Sequence, residues 1–545
     1  MPTVNIATHL KDMARLRPEQ LAVMFPAGRD SAGRTAYTSL TFRQLDDESD
    51  HIAAGLTAMG IGRGVRTALM VPPSLEFFSL TFALFKAGAV PVFIDPGMGL
   101  KNIGKCLAEA QPVAFIGITK AHVARWLFGW GKGTLTKFVS LRGHRTRNIS
   151  INKTSMTLRD LTIIGRGICE SPAPRSVETE GLAPGIYNLE VRLQQQIQEQ
   201  LRDGADSLDL VETVMEMEDE FSTGTNRNKF AIAPLPSRIA ETAASDVAAI
   251  LFTSGSTGVP KGAVYSHGNF VAQVELLKRV FGIEPGEIDL CTFPLFALFA
   301  SALGMTAIVP RMDFTRPARV NPREVIEPIQ RFGATNMFGS PALLNAVGRH
   351  AGRRIDGQVQ ETMPTLKRVL SAGAPVSAEI IGRFQATLSA GAQVFTPYGA
   401  TEALPVAVIG SREVLDETRH QTAQGAGTCV GRPVDGVHVS IIRISDEPIA
   451  EWDDSLLLPL GEIGEIVVSG SNVTQEYFQR PDLTALAKIR MPAGGWALLP
   501  VHGGASGGDP VKTNANAQRL AALHDQTVEE INLAALAARQ VLRGR

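Results

Sequence analysis

The run Val247-Ala248-Ala249-Ile250-Leu251-Phe252, followed at once by Thr253-Ser254-Gly255-Ser256-Thr257-Gly258-Val259-Pro260-Lys261-Gly262, constrains this chain more than any other stretch. The apolar run reads as a buried strand. Glycines in the loop let the backbone turn through conformations closed to other residues, while successive N–H groups and Ser/Thr hydroxyls offer donors to phosphate oxygens. Lys261 adds a point charge. The loop leaves the carboxyl end of a strand, where open α/β sheets place their ligands, and its residue types suit the phosphates of a nucleotide. It is not the familiar Gly-Lys-Ser/Thr phosphate loop, because Val259-Pro260 precede the lysine and Gly262 follows it. A flexible Gly/Ser linker is the competing reading; the strand ahead, the rigid Pro260 and the lysine argue against it.

The rest of the chain reads as alternating helices and strands from about Thr41 onward: a helix near Phe42 to Met59, a strand over Thr67–Val71, an apolar helix from about Phe77, then Val90–Ile94 as a core strand. Such alternation favours parallel sheets covered by helices. With 545 residues, 44% hydrophobic and 20% charged, the chain can bury at least two cores, and a formal net charge of −1 predicts no nucleic-acid partner. Cys106, Cys169, Cys291 and Cys429 are too scattered for a zinc knuckle or disulfide framework, which fits a reducing cytoplasm. No secretory leader is legible at Met1–Ile6. The greasiest stretch, Phe77 to Ile94, is interrupted by Lys86 and two glycines, which argues against a transmembrane segment.

Downstream stand two more motifs in order, Ser371-Ala372-Gly373-Ala374-Pro375 and Tyr398-Gly399-Ala400-Thr401-Glu402. Arg368–Ser371 and Gln393–Thr396 read as short strands, so both motifs follow strand ends, and a hard carboxylate at Glu402 suits Mg²⁺ shared with phosphate oxygens. Taken alone, Glu402 reads equally as a solvated loop carboxylate.

Together with the loop, these segments resemble the signature motifs of the adenylate-forming superfamily of acyl-CoA synthetases, luciferases and peptide-synthetase adenylation domains. The resemblance implies an α/β large domain, with parallel sheets layered by helices and a small distorted β-barrel, and the cofactors ATP and Mg²⁺. It places Thr253, Ser254, Gly255, Ser256, Thr257, Gly258 and Lys261 on phosphate, Gly373, Ala374 and Pro375 beside adenine, the Tyr398 ring against the base next to Gly399, Thr401 on phosphate and Glu402 on the metal. Lys261, Thr401 and Glu402 are the expected catalytic residues. Gly425–Pro433 looks like the entry to the barrel, whose strands would include Val437–Ile444 and Gly464–Gly470.

Gly62–Thr67, Thr292–Phe299 and Pro397–Ala407 narrow the resemblance to the olefin-biosynthesis branch, β-lactone synthetases for long-chain β-hydroxy acids that are often catalogued as fatty-acid CoA ligases. The implied reaction is attack of a fatty carboxylate on the α-phosphorus of ATP, followed by lactone closure or capture by coenzyme A; other fatty-acid or olefin-pathway enzymes are the implied associates. Phe293, Leu295, Phe296, Leu298 and Phe299 are too apolar and too closely spaced for one helix face. They are candidates for an acyl pocket, with ordinary core packing an equal alternative.

Two stretches depart from the pattern. The expected organisation is 1–145, a first α/β subdomain; 146–240, an atypical insert; 241–430, a second α/β subdomain with the ATP motifs; 431–490, the small barrel; and 491–545, an atypical tail. The family's C-terminal lid, with its catalytic lysine, is not legible in that tail, which offers glycine pairs and a helical pattern over Val528–Leu542. A catalytically impaired remnant acting as a nucleotide- or acyl-binding or interaction module is therefore the alternative function. Within the insert, Asp203–Glu212 resembles the phosphopantetheine attachment site of acyl carrier proteins, with Ser207 as the anchor. Eight acidic and no basic residues over Asp203–Glu220 also fit an acidic solvated helix, the preferred reading.

Overall fold

The computed structural model describes residues 3–141, 155–170, 239–253, 260–355, 358–359, 361–459, 461–492, 494–499, 520–523 and 530–533. Two large sheets organise them. The first has seven strands in the order Ser155–Thr157, Lys137–Ser140, Ala114–Gly117, Arg66–Met70, Val90–Ile94, Val247–Thr253 and Lys261–Ser266. Every neighbouring pair is parallel except the last, where the two strands flanking the glycine-rich loop run antiparallel.

The second sheet has nine strands. Its centre is a parallel block of Gln393–Ala400, Arg368–Leu370, Asn336–Phe338, Ile288–Cys291, Thr306–Ile308 and Leu21–Arg29. Antiparallel strands edge it, Ala403–Gly410 and Arg432–Pro433 on one side and Thr35–Thr41 on the other. Central strands of the first sheet, Val90–Ile94 and Ala114–Gly117, are apolar and buried along their whole length because helices cover both faces.

One apolar cluster spans the two sheets, with Ala114, Ile116 and Ala248 from the first, Val23 and Ala307 from the second, and Phe77, Phe78, Phe82 and Phe85 between them. These phenylalanines belong to the helix Leu75–Ala87, capped by Ser74 and closed by Gly88 in the left-handed conformation at φ 69°. Each such ring removed from water contributes about 2 to 3 kcal/mol. Lys86 on this helix is buried and pairs with Asp46 and Asp50, both at 2.5 Å. No described helix is long and apolar enough to cross a membrane.

Helix Phe42–Ala58 starts at a capping box formed by Thr41 and Gln44, and against it lies helix Leu158–Glu170. Strand Ser155–Thr157 and this helix continue the first α/β layer although they fall within the stretch 146–240. Ser207 and the acidic segment around it lie outside the described residues.

Beyond the hairpin Gln393–Gly410 stands a smaller antiparallel sheet, Val437–Ile442, Glu465–Gly470, Trp496–Leu498 and Lys488–Arg490. Where a distorted barrel is expected, this is an open four-stranded sheet. In the tail, Glu530–Leu533 pairs as a strand with Leu520–Leu523 and Thr428–Cys429. The helical pattern over Val528–Leu542 is thus overridden at 530–533, where ladder partners outweigh weak intrinsic preference.

Candidate active site

Thr253 and Lys261 face one another in the antiparallel register, so the two ends of the glycine-rich loop are held side by side at the sheet edge. Ser254, Gly255, Ser256, Thr257 and Gly258 lie outside the described residues. Lys261 is 4% exposed, and its ammonium sits over the Tyr477 ring, 5.1 Å from the centroid. The Tyr477 hydroxyl donates to Glu402 Oε1 at 2.5 Å. Thus the lysine of the first motif and the carboxylate of the third meet across one tyrosine.

Burial holds the Lys261 ammonium below its ordinary pKa; the charge of Glu402 draws it back up, and Arg480 lowers it. Burial raises the Tyr477 phenol far above its usual range, and the Glu402 charge and hydrogen bond add to the shift. Tyr477 therefore stays a neutral donor, suited to hold a carboxylate.

The hairpin turn at Thr401 and Glu402 is gripped from two sides. Tyr265, on strand Lys261–Ser266, donates its hydroxyl to the Thr401 carbonyl, and its ring stacks on Phe270 at 4.7 Å. From helix His267–Phe281, Gln273 donates to the Leu404 carbonyl at 3.1 Å, and Asn269 donates to the carbonyls of Ser471 and Val473. On the other side, the Thr474 N–H reaches the Glu402 carbonyl at 2.8 Å and Asn472 reaches the Pro405 carbonyl at 2.9 Å. Lys488 lies behind Thr474, 2% exposed, donating to its carbonyl and, at 3.2 Å, to its hydroxyl. Burial pushes the Lys488 ammonium down to about 7, against the pull of the Glu402 charge.

The remaining predicted residues emerge at the same edge. Strands Arg368–Leu370 and Gln393–Ala400 are parallel neighbours with Leu370 opposite Phe395, so Gly373, Ala374 and Pro375 leave beside the strand that carries Tyr398 and Gly399. Gly373 has φ 90°, a conformation that favours glycine. Nearby, the Ser371 hydroxyl is buried with no hydrogen-bond partner among the described residues. Tyr398 packs against the apolar cluster of the small sheet, and burial pushes its phenol up to about 12. At Gly399 a Cβ would lie 2.6 Å from the Ala403 carbonyl oxygen, so the turn admits only glycine.

Phe293 immediately precedes helix Pro294–Ala302, with no capping hydrogen bond from its side chain. With Phe296 and Phe299 it forms an aromatic group around Phe338, the closest pair being Phe296 and Phe338 at 4.5 Å between centroids. Phe299 reaches Phe270, beside Tyr265. Phe293 is 38% exposed, so this group opens to the surface at the strand ends. The side chain of Leu295 lies outside the described residues.

Among the described residues no three His, Cys, Asp or Glu side chains come together to hold a metal. A lone carboxylate fits Mg²⁺ only when phosphate oxygens and waters supply the other positions, which is how this ion is commonly held beside nucleotides. Tyr477, Tyr265, Thr474 and Lys488 escaped the sequence reading. The one signal they left was polar residues inside apolar strand-like text, Val473-Thr474 and Ala487-Lys488-Ile489.

Fold and site together define an enzyme that joins an acid to a nucleotide, and residues 10–478 match the AMP-binding enzyme family, to which the chain belongs. It is an AMP-forming ligase. Over 500 residues it is 43% identical to an olefin beta-lactone synthetase of Stenotrophomonas maltophilia, covering 91% of this chain and 75% of that protein. An olefin beta-lactone synthetase of Xanthomonas campestris pv. campestris is likewise 43% identical over 487 residues, 89% of this chain and 72% of the relative. Among solved structures, a long-chain-fatty-acid-CoA ligase from Archaeoglobus fulgidus superimposes with a TM-score of 0.62 at 16% identity, covering 98% of this chain and 91% of that one, a likeness of fold.

Proposed function

We propose that this chain uses ATP and Mg²⁺ to convert a long-chain fatty acid, specifically a 3-hydroxy acid, into its acyl-adenylate and then into a β-lactone. The observation that carries the reading is the meeting of Lys261 and Glu402 across Tyr477. A carboxylate oxygen attacks the α-phosphorus, the bond to the bridging oxygen breaks and pyrophosphate leaves. The substrate's own 3-hydroxyl oxygen then attacks the acyl carbon, AMP departs and the hydroxyl proton is lost to solvent. Coenzyme A thiol is the competing acceptor at this second step.

Positioning and charge neutralisation dominate such transfers. Lys261 and the loop donors bind phosphate, Thr401 orients it, and Glu402 would hold the metal, which when bound supplies charge neutralisation. The aromatic group of Phe293, Phe296 and Phe299 offers an apolar wall for the acyl chain. The 43% identity to proteins named olefin beta-lactone synthetase supports the choice of a 3-hydroxy substrate and a lactone product.

ATP–pyrophosphate exchange, run with plain and 3-hydroxylated long-chain acids, tests the reading. Exchange that needs the acid and Mg²⁺ and is lost in Glu402→Ala is expected, with lactone forming without coenzyme A. Nucleotide binding without exchange would instead support the binding-module alternative.

A further inference from the structure

We propose that Lys488 is a positioning residue: acting through Thr474, it fixes where Glu402 presents its carboxylate to a metal-bound nucleotide. This rests on the acid-activation reading above. The contacts form a directed chain. The Lys488 ammonium donates to the Thr474 hydroxyl at 3.2 Å, and that hydroxyl donates to the Glu402 carbonyl at 3.2 Å. The Thr474 N–H grips the same carbonyl at 2.8 Å, while Lys488 also holds the Thr474 carbonyl. Three residues further on, Tyr477 holds the Glu402 carboxylate itself. One short segment therefore fixes both the backbone and the side chain of Glu402, and Lys488 fixes that segment.

Stability alone does not account for an ammonium at this place. Burying a charge costs several kcal/mol, and a well-packed apolar side chain of similar volume commonly does as well or better. Lys488 is among the largest fully buried side chains and sits between Ala487 and Ile489, which are themselves buried. What an apolar residue would not supply is the two-acceptor grip on the carbonyl and hydroxyl of Thr474. Groups that orient a metal-bearing carboxylate from behind alter metal affinity about 10- to 100-fold when removed.

The test measures binding of Mn²⁺·ATP by electron paramagnetic resonance, and of ATP without metal, to the full chain and to Lys488→Met and Thr474→Val. The inference expects metal–nucleotide affinity to fall about tenfold in Lys488→Met and less in Thr474→Val, with metal-free ATP affinity unchanged. In exchange assays the rise would lie in the KM for Mg²⁺ rather than in kcat. Lowered melting temperature with unchanged Mn²⁺·ATP affinity, or an equal loss with and without metal, overturns it and leaves Lys488 a packing residue. If Lys488→Met does not fold, Thr474→Val decides alone. A wild-type chain that binds ATP with no preference for metal overturns the magnesium role of Glu402 as well, an outcome visible before any variant is made.

Discussion

At the residue scale, Tyr477 carries the most, since its ring meets Lys261 and its hydroxyl meets Glu402. Tyr477→Phe keeps the ring and removes a hydrogen bond to a charged group, worth about 1.5 to 3 kcal/mol. Exchange activity should therefore drop about tenfold or more, at about 1.4 kcal/mol per factor of ten. Tyr477→Leu should lose a further ~0.5 to 2 kcal/mol as the cation–π contact goes; equal rates for the two variants would show that the ring contributes nothing. His267 offers a pH test. Its Nδ1 accepts the Ile6 N–H at 3.3 Å, and burial lowers its pKa to about 4 against a weak opposing pull from Asp246. Because the folded value lies below the unfolded one, the unfolded chain binds more protons between them. Stability is intact above about 6.5 and is lost as the pH falls toward 4. Urea midpoints at pH 7 and pH 4.5 should differ less in His267→Gln than in wild type.

At the scale of elements, helices Phe42–Ala58 and Leu158–Glu170 approach so closely that only glycine fits at the crossing. A Cβ on Gly165 would stand 1.7 Å from the His51 carbonyl oxygen, and one on Gly55 2.3 Å from that of Leu161. Backbone cannot give way cheaply. Gly165→Ala should therefore cost about 1 to 3 kcal/mol in urea unfolding, whereas Gly391→Ala, with nothing within 4 Å, should be near neutral. The helix from Phe42 was legible within the alternation of helices and strands, and the strands at Thr67 and Val90 as short apolar runs. The crossing was not legible, since nothing near Gly165 in sequence reveals that His51 will lie against it. The place of strand Leu21–Arg29 likewise depends on a parallel partner far along the chain, Thr306–Ile308, whereas Thr35–Thr41 pairs with it locally.

At the scale of the whole molecule, the site exists only if the first sheet, the hairpin of the second and the small sheet are docked together. ATP with Mg²⁺ at about 100 times its Kd should then stabilise the fold by about 2.7 kcal/mol, and Lys261→Ala should abolish that gain in thermal melts without acid present. The strand-then-loop text at 247–262 and the ordered motifs ending at Glu402 determined the class of chemistry, because phosphate binding demands glycines, hydroxyls and a cation in contiguous sequence. Tertiary structure alone decided which residues hold those motifs in place. Tyr477 is 75 residues from the carboxylate it holds and Tyr265 is 136 residues from the carbonyl it reaches. The burial that lowers Lys488 arises only after the small sheet closes over it, and a lysine among apolar neighbours carries no mark in sequence of the carbonyl it will meet.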